Sequence, residues 1–238
     1  MARTAIWQEI HDTLGDEIAR GHYRPGAKLP SEAALAARFG VNRHTVRHAL
    51  AALAKAGLVH ARRGAGVFVS AGPADYPLGR RVRFHQNISA TGRIPSRSFT
   101  RMETRLADPA EAEALRIDPG APVHVVEGLS LADGLPLAAF RSVFPATSLP
   151  DLPAHLARTG SVTQALRACG VTDYTRAATR ISARIARPTL AMKLQIAAGM
   201  AILCTASVNV DAAGQPVEFG TTWFPAERVT LTVSPDPA

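Results

Sequence analysis

The chain has 238 residues, a formal charge of +8 and two cysteines, Cys169 and Cys204. That length allows two small domains, each with its own core, and two cysteines exclude a disulfide framework. No secretory pattern and no long apolar run is present, which excludes a membrane span and leads us to expect a soluble, cytoplasmic protein. The positive charge suits a polyanionic partner, and its placement sharpens the point. Between Ala33 and Ala74 there is no Asp or Glu, whereas Arg38, Arg43, Arg47, Lys55, Arg62 and Arg63 all fall there.

Ile6, Ile10, Leu14 and Ile18 recur at helical spacing and predict a first helix from about Thr4 to Arg20, stopped by Gly21. HYRPGAKLP reads as a turn-rich connection. Ser31 is an N-cap for a second helix, Glu32 suits its positive end, and Gly40 ends it. Asn42 caps a third helix to about Lys55, with Val46, Leu50 and Leu53 as its apolar stripe. On its other face Arg43 and Arg47 stand four apart with His44 and His48 beside them. Like charges at that spacing cost a few tenths of a kcal/mol, so the face is suited to a negative partner. The turn Gly40-Val41-Asn42 makes the pair a helix-turn-helix.

LVHARRGAGVFV then reads as a hairpin with Arg62, Arg63, Gly64 and Gly66 at its tip. Helix-turn-helix plus basic hairpin is a winged helix, whose third helix enters the major groove while the wing follows the backbone or the minor groove. Residues 1–70 are thus expected to bind DNA, 71–77 to form a linker (AGPADYP), and 78–238 to form a second domain. No second cluster of His, Cys or carboxylate stands at metal-ligand spacing near His44 and His48, so neither metal nor cofactor is expected.

The second domain contains a weak repeat. LRIDPGAPVHVV from Leu115 resembles LQIAAGMAILCT from Leu194, and PLAAFRSVFP from Pro136 resembles PVEFGTTWFP from Pro216, each about 80 positions on. Each half reads as a helix, a strand, a turn and a second strand, which implies a mainly antiparallel α+β domain. In DYTRAATRISARIAR, alternation puts Arg176, Arg180, Ser182 and Arg184 on one face and Ile181, Ala183 and Ile185 on the other, which can pack inward. The arginine face is either a solvated surface or an anion site. Trp7 and Trp223 read as packing residues.

LPSEAALAARFGVNRHTVRHALAALAKAGLVHARRGAGVFV resembles the DNA-binding domain of GntR-family bacterial transcription regulators over nearly its whole length. The second domain resembles the effector domain of the HutC subfamily, with a chorismate-lyase-like fold. DYPLGRRVRFHQNISATGRIPSR and TRISARIA resemble repressors of phosphonate-metabolism operons. The resemblance implies a homodimer on a short inverted repeat of double-stranded DNA, relieved when a small anionic effector, a phosphonate or phosphate ester, binds the second domain. A carboxylate or sugar-phosphate effector is the alternative. It implies DNA contacts from Ser31, Asn42, Arg43, His44, Thr45 and Arg47 and from Arg62, Arg63 and Gly64 at the wing. It implies effector contacts from Arg83, His85, Gln86, Asn87, Arg180, Ser182, Glu218 and Phe224. Many relatives carry an Arg near Glu127 and a Glu near Phe140, where this chain departs. A chorismate-lyase-like enzyme is the competing class, but no GxSxG, no HExxH and no paired acid and base is present. A sequence-neutral architectural DNA binder would leave the second domain without a purpose.

Overall fold

The computed structural model describes residues 5–62, 64–70, 73–81 and 84–233. The chain divides into two compact units, Met1–Gly72 and Pro73–Ala238.

In the first unit, α1 (Ile6–Ala19) buries Ile10 and Leu14. Helix α2 (Glu32–Phe39) starts where Ser31 Oγ accepts a hydrogen bond from the Ala34 N–H and ends on Gly40, left-handed at φ 63°. Helix α3 (Arg43–Lys55) starts where Asn42 Oδ1 accepts from the Thr45 N–H at 2.9 Å. Each cap satisfies an orphan donor of the first turn. Val46, Ala49, Leu50 and Leu53 of α3 close the core against Ile10, Leu14 and Leu35. Strands β1 (Val59–Arg62) and β2 (Gly66–Val69) form the expected hairpin. The connection HYRPGAKLP is more ordered than its composition implies, because part of it adds a third line to the wing. Gly26 N–H and Leu29 N–H donate to the Val69 and Val67 carbonyls, and Val69 N–H donates back to Ala27.

The second unit opens with a correction. Ala74–Pro77, expected to be linker, is strand β3, paired in parallel with β10 (Val229–Thr232). The Pro and Gly content masked a period-two signal: Ala74 and Tyr76 point inward and are buried, Asp75 and Pro77 are exposed. Pro77 is tolerated because it ends a two-stranded edge.

After α4 (Phe84–Ala90), the halves of the repeat follow: β4 (Pro95–Leu106), α5 (Pro109–Leu115), β5 (Pro122–Ala132) and β6 (Leu135–Pro145), then β7 (Tyr174–Ile185), α8 (Pro188–Leu194), β8 (Ala201–Asp211) and β9 (Pro216–Pro225). Helices α6 (Leu152–Thr159) and α7 (Val162–Ala168) join them. One antiparallel six-stranded sheet results, in the order β4-β5-β6-β9-β8-β7, so each half is a meander and the two meet along β6 and β9. Helices α5 and α8 occupy equivalent places, each opening with Pro and closing on a left-handed residue, Arg116 or Gln195. The apolar face expected of β7 does not pack inward: β7 ends the sheet, and Ile181 and Ile185 are 48% and 65% exposed.

Candidate DNA-binding surface and effector pocket

On the first unit, Asn42, Arg43 and His44 are exposed at the start of α3. The side chains divide by what holds them. Asn42 Oδ1 accepts from both the N–H and the Oγ1 of Thr45, so these two cap the helix. Arg47 reaches back to α2, donating through Nε and an η-nitrogen to the Glu32 carboxylate at 3.3 and 2.9 Å. That hydrogen-bonded guanidinium holds the Glu32 carboxyl below its usual range against the opposing effect of burial, with Arg43 and His44 adding to the field. Arg43 and His44 make no side-chain hydrogen bond or ion pair among the described residues and are the open positions of the face. His48 is turned aside, stacked on Trp7 with ring centroids 4.3 Å apart. At the wing, Gly64 adopts φ 74°. Arg62 ends β1, and Arg63 lies outside the described residues.

In the second unit a cavity of about 500 Å³ is walled by α4, α7 and the sheet. Arg97 from β4, Arg167 from α7 and Arg176 from β7 line it, against one carboxylate, Glu218 from β9. Arg176 Nε donates to Asn209 Oδ1 at 3.3 Å, Asn209 Nδ2 donates to Glu218 Oε2 at 2.7 Å, and Ser142 Oγ donates to Glu218 Oε1 at 2.6 Å. Arg176 is thereby linked to Glu218 through Asn209, whereas Arg97 has no such link among the described residues. Its guanidinium lies 5.0 Å from the centroid of the Phe140 ring and 5.7 Å from that of Phe84, and its Nε is buried with no hydrogen-bond partner among the described residues. Burial and Arg97 together hold His85 below its ordinary pKa, which leaves a neutral imidazole in the lining at neutral pH.

Phe140 can lie under Arg97 because its strand neighbour is Gly128. A Cβ there would stand 2.8 Å from Phe140 Cζ and 2.3 Å from the Ser98 carbonyl. Phe140 thus has a structural use: its ring, on β6, supports Arg97 from β4, two strands across the sheet.

Of the expected effector residues, the structure brings His85, Gln86 and Glu218 into this cavity. It places four elsewhere. Asn87 donates to the Pro77 carbonyl at 3.3 Å. Phe224 is buried against Tyr76, with centroids 5.3 Å apart. Arg180 and Ser182 are exposed on the other face of β7, because a bulge between Arg176 and Ala178 inserts one residue and inverts the alternation beyond it. Arg176 registers with Asn209, but the residue registered with Ser207, also in the lining, is Thr179. Arg83 lies outside the described residues. Arg97 and Arg167, which sequence reasoning missed, come from a strand and a helix far apart in the chain, and no local pattern links them.

A larger groove of about 750 Å³ runs on the opposite face between β7 and α8. Its lining includes Trp223, Leu190 and Ile202, and its Glu127 is paired with Lys193 at 3.6 Å. It lacks the hydroxyl and amide density of the smaller cavity.

A winged helix followed by an antiparallel α+β unit with a polar, cation-lined cavity defines a transcription regulator that carries its own effector domain. The chain belongs to the GntR family of bacterial regulatory proteins, whose model matches residues 7–69, and carries a UTRA domain over residues 90–230. It is 40% identical over 233 residues to an uncharacterized HTH-type transcriptional regulator of Rhizobium meliloti, covering 96% of this chain and 94% of that one. It is 35% identical to the probable transcriptional regulator PhnF of Escherichia coli K12, over 95% and 94% of the two chains. The crystal structure of PhnF from Mycobacterium smegmatis superposes with a TM-score of 0.66 at 25% identity, covering 96% of this chain and 99% of that one. These families and relatives are transcriptional regulators and not enzymes, which removes the lyase reading. Among the described residues no helix is long and apolar enough to cross a membrane, and no group of three or more His, Cys, Asp or Glu is placed to hold a metal.

Proposed function

We propose that the protein is a homodimeric repressor of phosphonate uptake or metabolism genes, released from a short inverted repeat when a small phosphorus-containing anion occupies the cavity of the second unit. Arg43 and His44 read bases or phosphates from α3, Ser31 and the wing residues Arg62, Arg63 and Gly64 hold the backbone, and Arg47 acts from its pairing with Glu32. An arginine bidentate to guanine is worth about 1–3 kcal/mol of discrimination.

The observation that carries the effector assignment is Arg97. A buried N–H without an acceptor costs about 1–3 kcal/mol, and an anionic oxygen in the cavity removes that cost. Set against the Glu218 carboxylate, Arg97, Arg167 and Arg176 leave the described lining with two positive charges in excess. A phosphonate or phosphate monoester brings a charge of about −1.5 to −2 at pH 7. A second reading, a sugar phosphate, is favoured by the hydroxyl and amide groups of Ser161, Thr163, Gln164 and Thr222 in a cavity far larger than methylphosphonate fills.

The test is fluorescence anisotropy of the protein on a duplex from upstream of its own gene, titrated with 2-aminoethylphosphonate, methylphosphonate, phosphate and a hexose 6-phosphate. Release by a phosphonate supports the first reading, and release by the hexose phosphate alone supports the second. Specific binding that none of the four disturbs overturns both.

A further inference from the structure

The wing holds a cation that the DNA-binding motif does not include. Gly26–Leu29 is hydrogen-bonded along β2, and within it Lys28 is bridged to Phe68. Alternation sends Ala27 and Leu29 toward the core with Val67 and Val69, and puts Lys28 on the outer face with Phe68 and Gly66. There the lysine stem lies over Gly66. A Cβ on Gly66 would stand 2.8 Å from Lys28 Cε and 3.5 Å from Nζ, and Gly66 itself adopts φ 116°. The second glycine of RRGAGVFV therefore serves two ends: it permits a backbone that L-residues avoid, and it leaves a hollow in which the lysine lies flat. Gly66 registers opposite Arg62, so the ammonium stands at the tip end of the hairpin.

Among the described residues Lys28 has no acidic partner, and the acid nearest in sequence, Glu32, is taken by Arg47. A lysine on a free stem loses rotamer entropy when it binds a phosphate, and a stem already confined by Gly66 loses less. Three residues on, Ser31 begins α2.

We propose that Lys28 is a phosphate contact of the wing, seated by Gly66, and that it strengthens binding to any duplex without reading sequence. The assignment rests on the wing lying against DNA, as the family implies. A phosphate contact releases about 0.9 of a counterion from B-DNA, so one lysine has a defined signature. Full-length wild type, Lys28→Gln, Lys28→Arg and Arg43→Ala are compared by anisotropy on the upstream duplex and on a shuffled duplex, between about 50 and 200 mM salt. Lys28→Gln is expected to weaken both duplexes by a similar factor of about 3 to 10 and to reduce the salt slope by about 0.9. Lys28→Arg should keep the slope, and Arg43→Ala should lose the preference for the upstream duplex. A Lys28→Gln slope equal to wild type overturns the proposal. Loss of both slope and affinity on one duplex alone overturns it too, since that would make Lys28 a sequence reader. If wild type itself distinguishes neither duplex and shows no salt dependence, the fault lies in the placement of the wing on DNA.

Discussion

Arg176 and Asn209 stand directly opposite each other on β7 and β8, and the 3.3 Å hydrogen bond between them ties the arginine to Glu218 through Asn209. One residue further along, the bulge turns the rest of β7 around. We therefore expect Arg176→Ala to weaken an anionic effector and Arg180→Ala to leave its affinity within about twofold, since exposed side chains away from a site usually change little. Isothermal titration with the effector identified by the anisotropy screen checks this; equal losses in both variants would show that the bulge does not separate the two arginines.

Arg97→Ala should cost the effector about 1.5–3 kcal/mol, the range for hydrogen bonds to charged groups, while leaving operator affinity in the absence of effector unchanged. Because Phe140 and Phe84 flank the guanidinium, Arg97→Lys should recover only part of the loss. A lysine that restored full response would mean that charge alone matters and the aromatic support does not.

Gly128→Ala places a methyl group against the Ser98 carbonyl and the Phe140 ring. Overpacking of this kind costs about 1–3 kcal/mol, read as a lower midpoint in denaturant unfolding. The same variant should weaken the effector, as the ring beneath Arg97 is displaced. An unchanged midpoint would mean that β4 and Phe140 can yield.

Glu111, 1% exposed, lies between Arg105 and Arg141. Burial would raise its pKa, but the Arg105 hydrogen bonds, the Asp108 N–H and Arg141 outweigh that and lower it to about 2. A carboxyl depressed in the folded state stabilises fully above its unfolded value, near 4.5, and loses that contribution as pH falls toward 2. Wild type should exceed Glu111→Gln by about 3 kcal/mol at neutral pH. The gap should narrow steadily below about pH 4.5. Urea unfolding across pH measures it, and a gap constant down to pH 3 would contradict the depressed value.

Asn42 and Arg43 are neighbours with separable roles. Asn42→Ala removes the cap of α3 and should lower stability by about 1 kcal/mol, whereas Arg43→Ala should leave the melting temperature unchanged and reduce operator affinity by about 1–3 kcal/mol. Melting curves and anisotropy on the same preparations separate them, and a destabilised Arg43→Ala would place that side chain in the fold instead.

The winged helix was legible in the sequence because its signals are local. Ser31 and Asn42 sit at the starts of helices they cap, Gly40 sits where a left-handed residue ends one, and Val46, Leu50 and Leu53 repeat at the period of a buried helical face. The antiparallel α+β sheet was legible too, since the repeat and its turns imply paired meanders. What only the tertiary structure decided is which charges meet. Arg97, Arg167, Arg176 and Glu218 come from β4, α7, β7 and β9, and Ala74–Pro77 became a strand by pairing with Val229–Thr232 at the far end of the chain. Period-two alternation fixes a face only while a strand stays regular, and a single bulged residue reverses it. Caps and stripes depend on neighbours within a turn or two, whereas a cavity depends on register between distant strands, which is set when the sheet assembles.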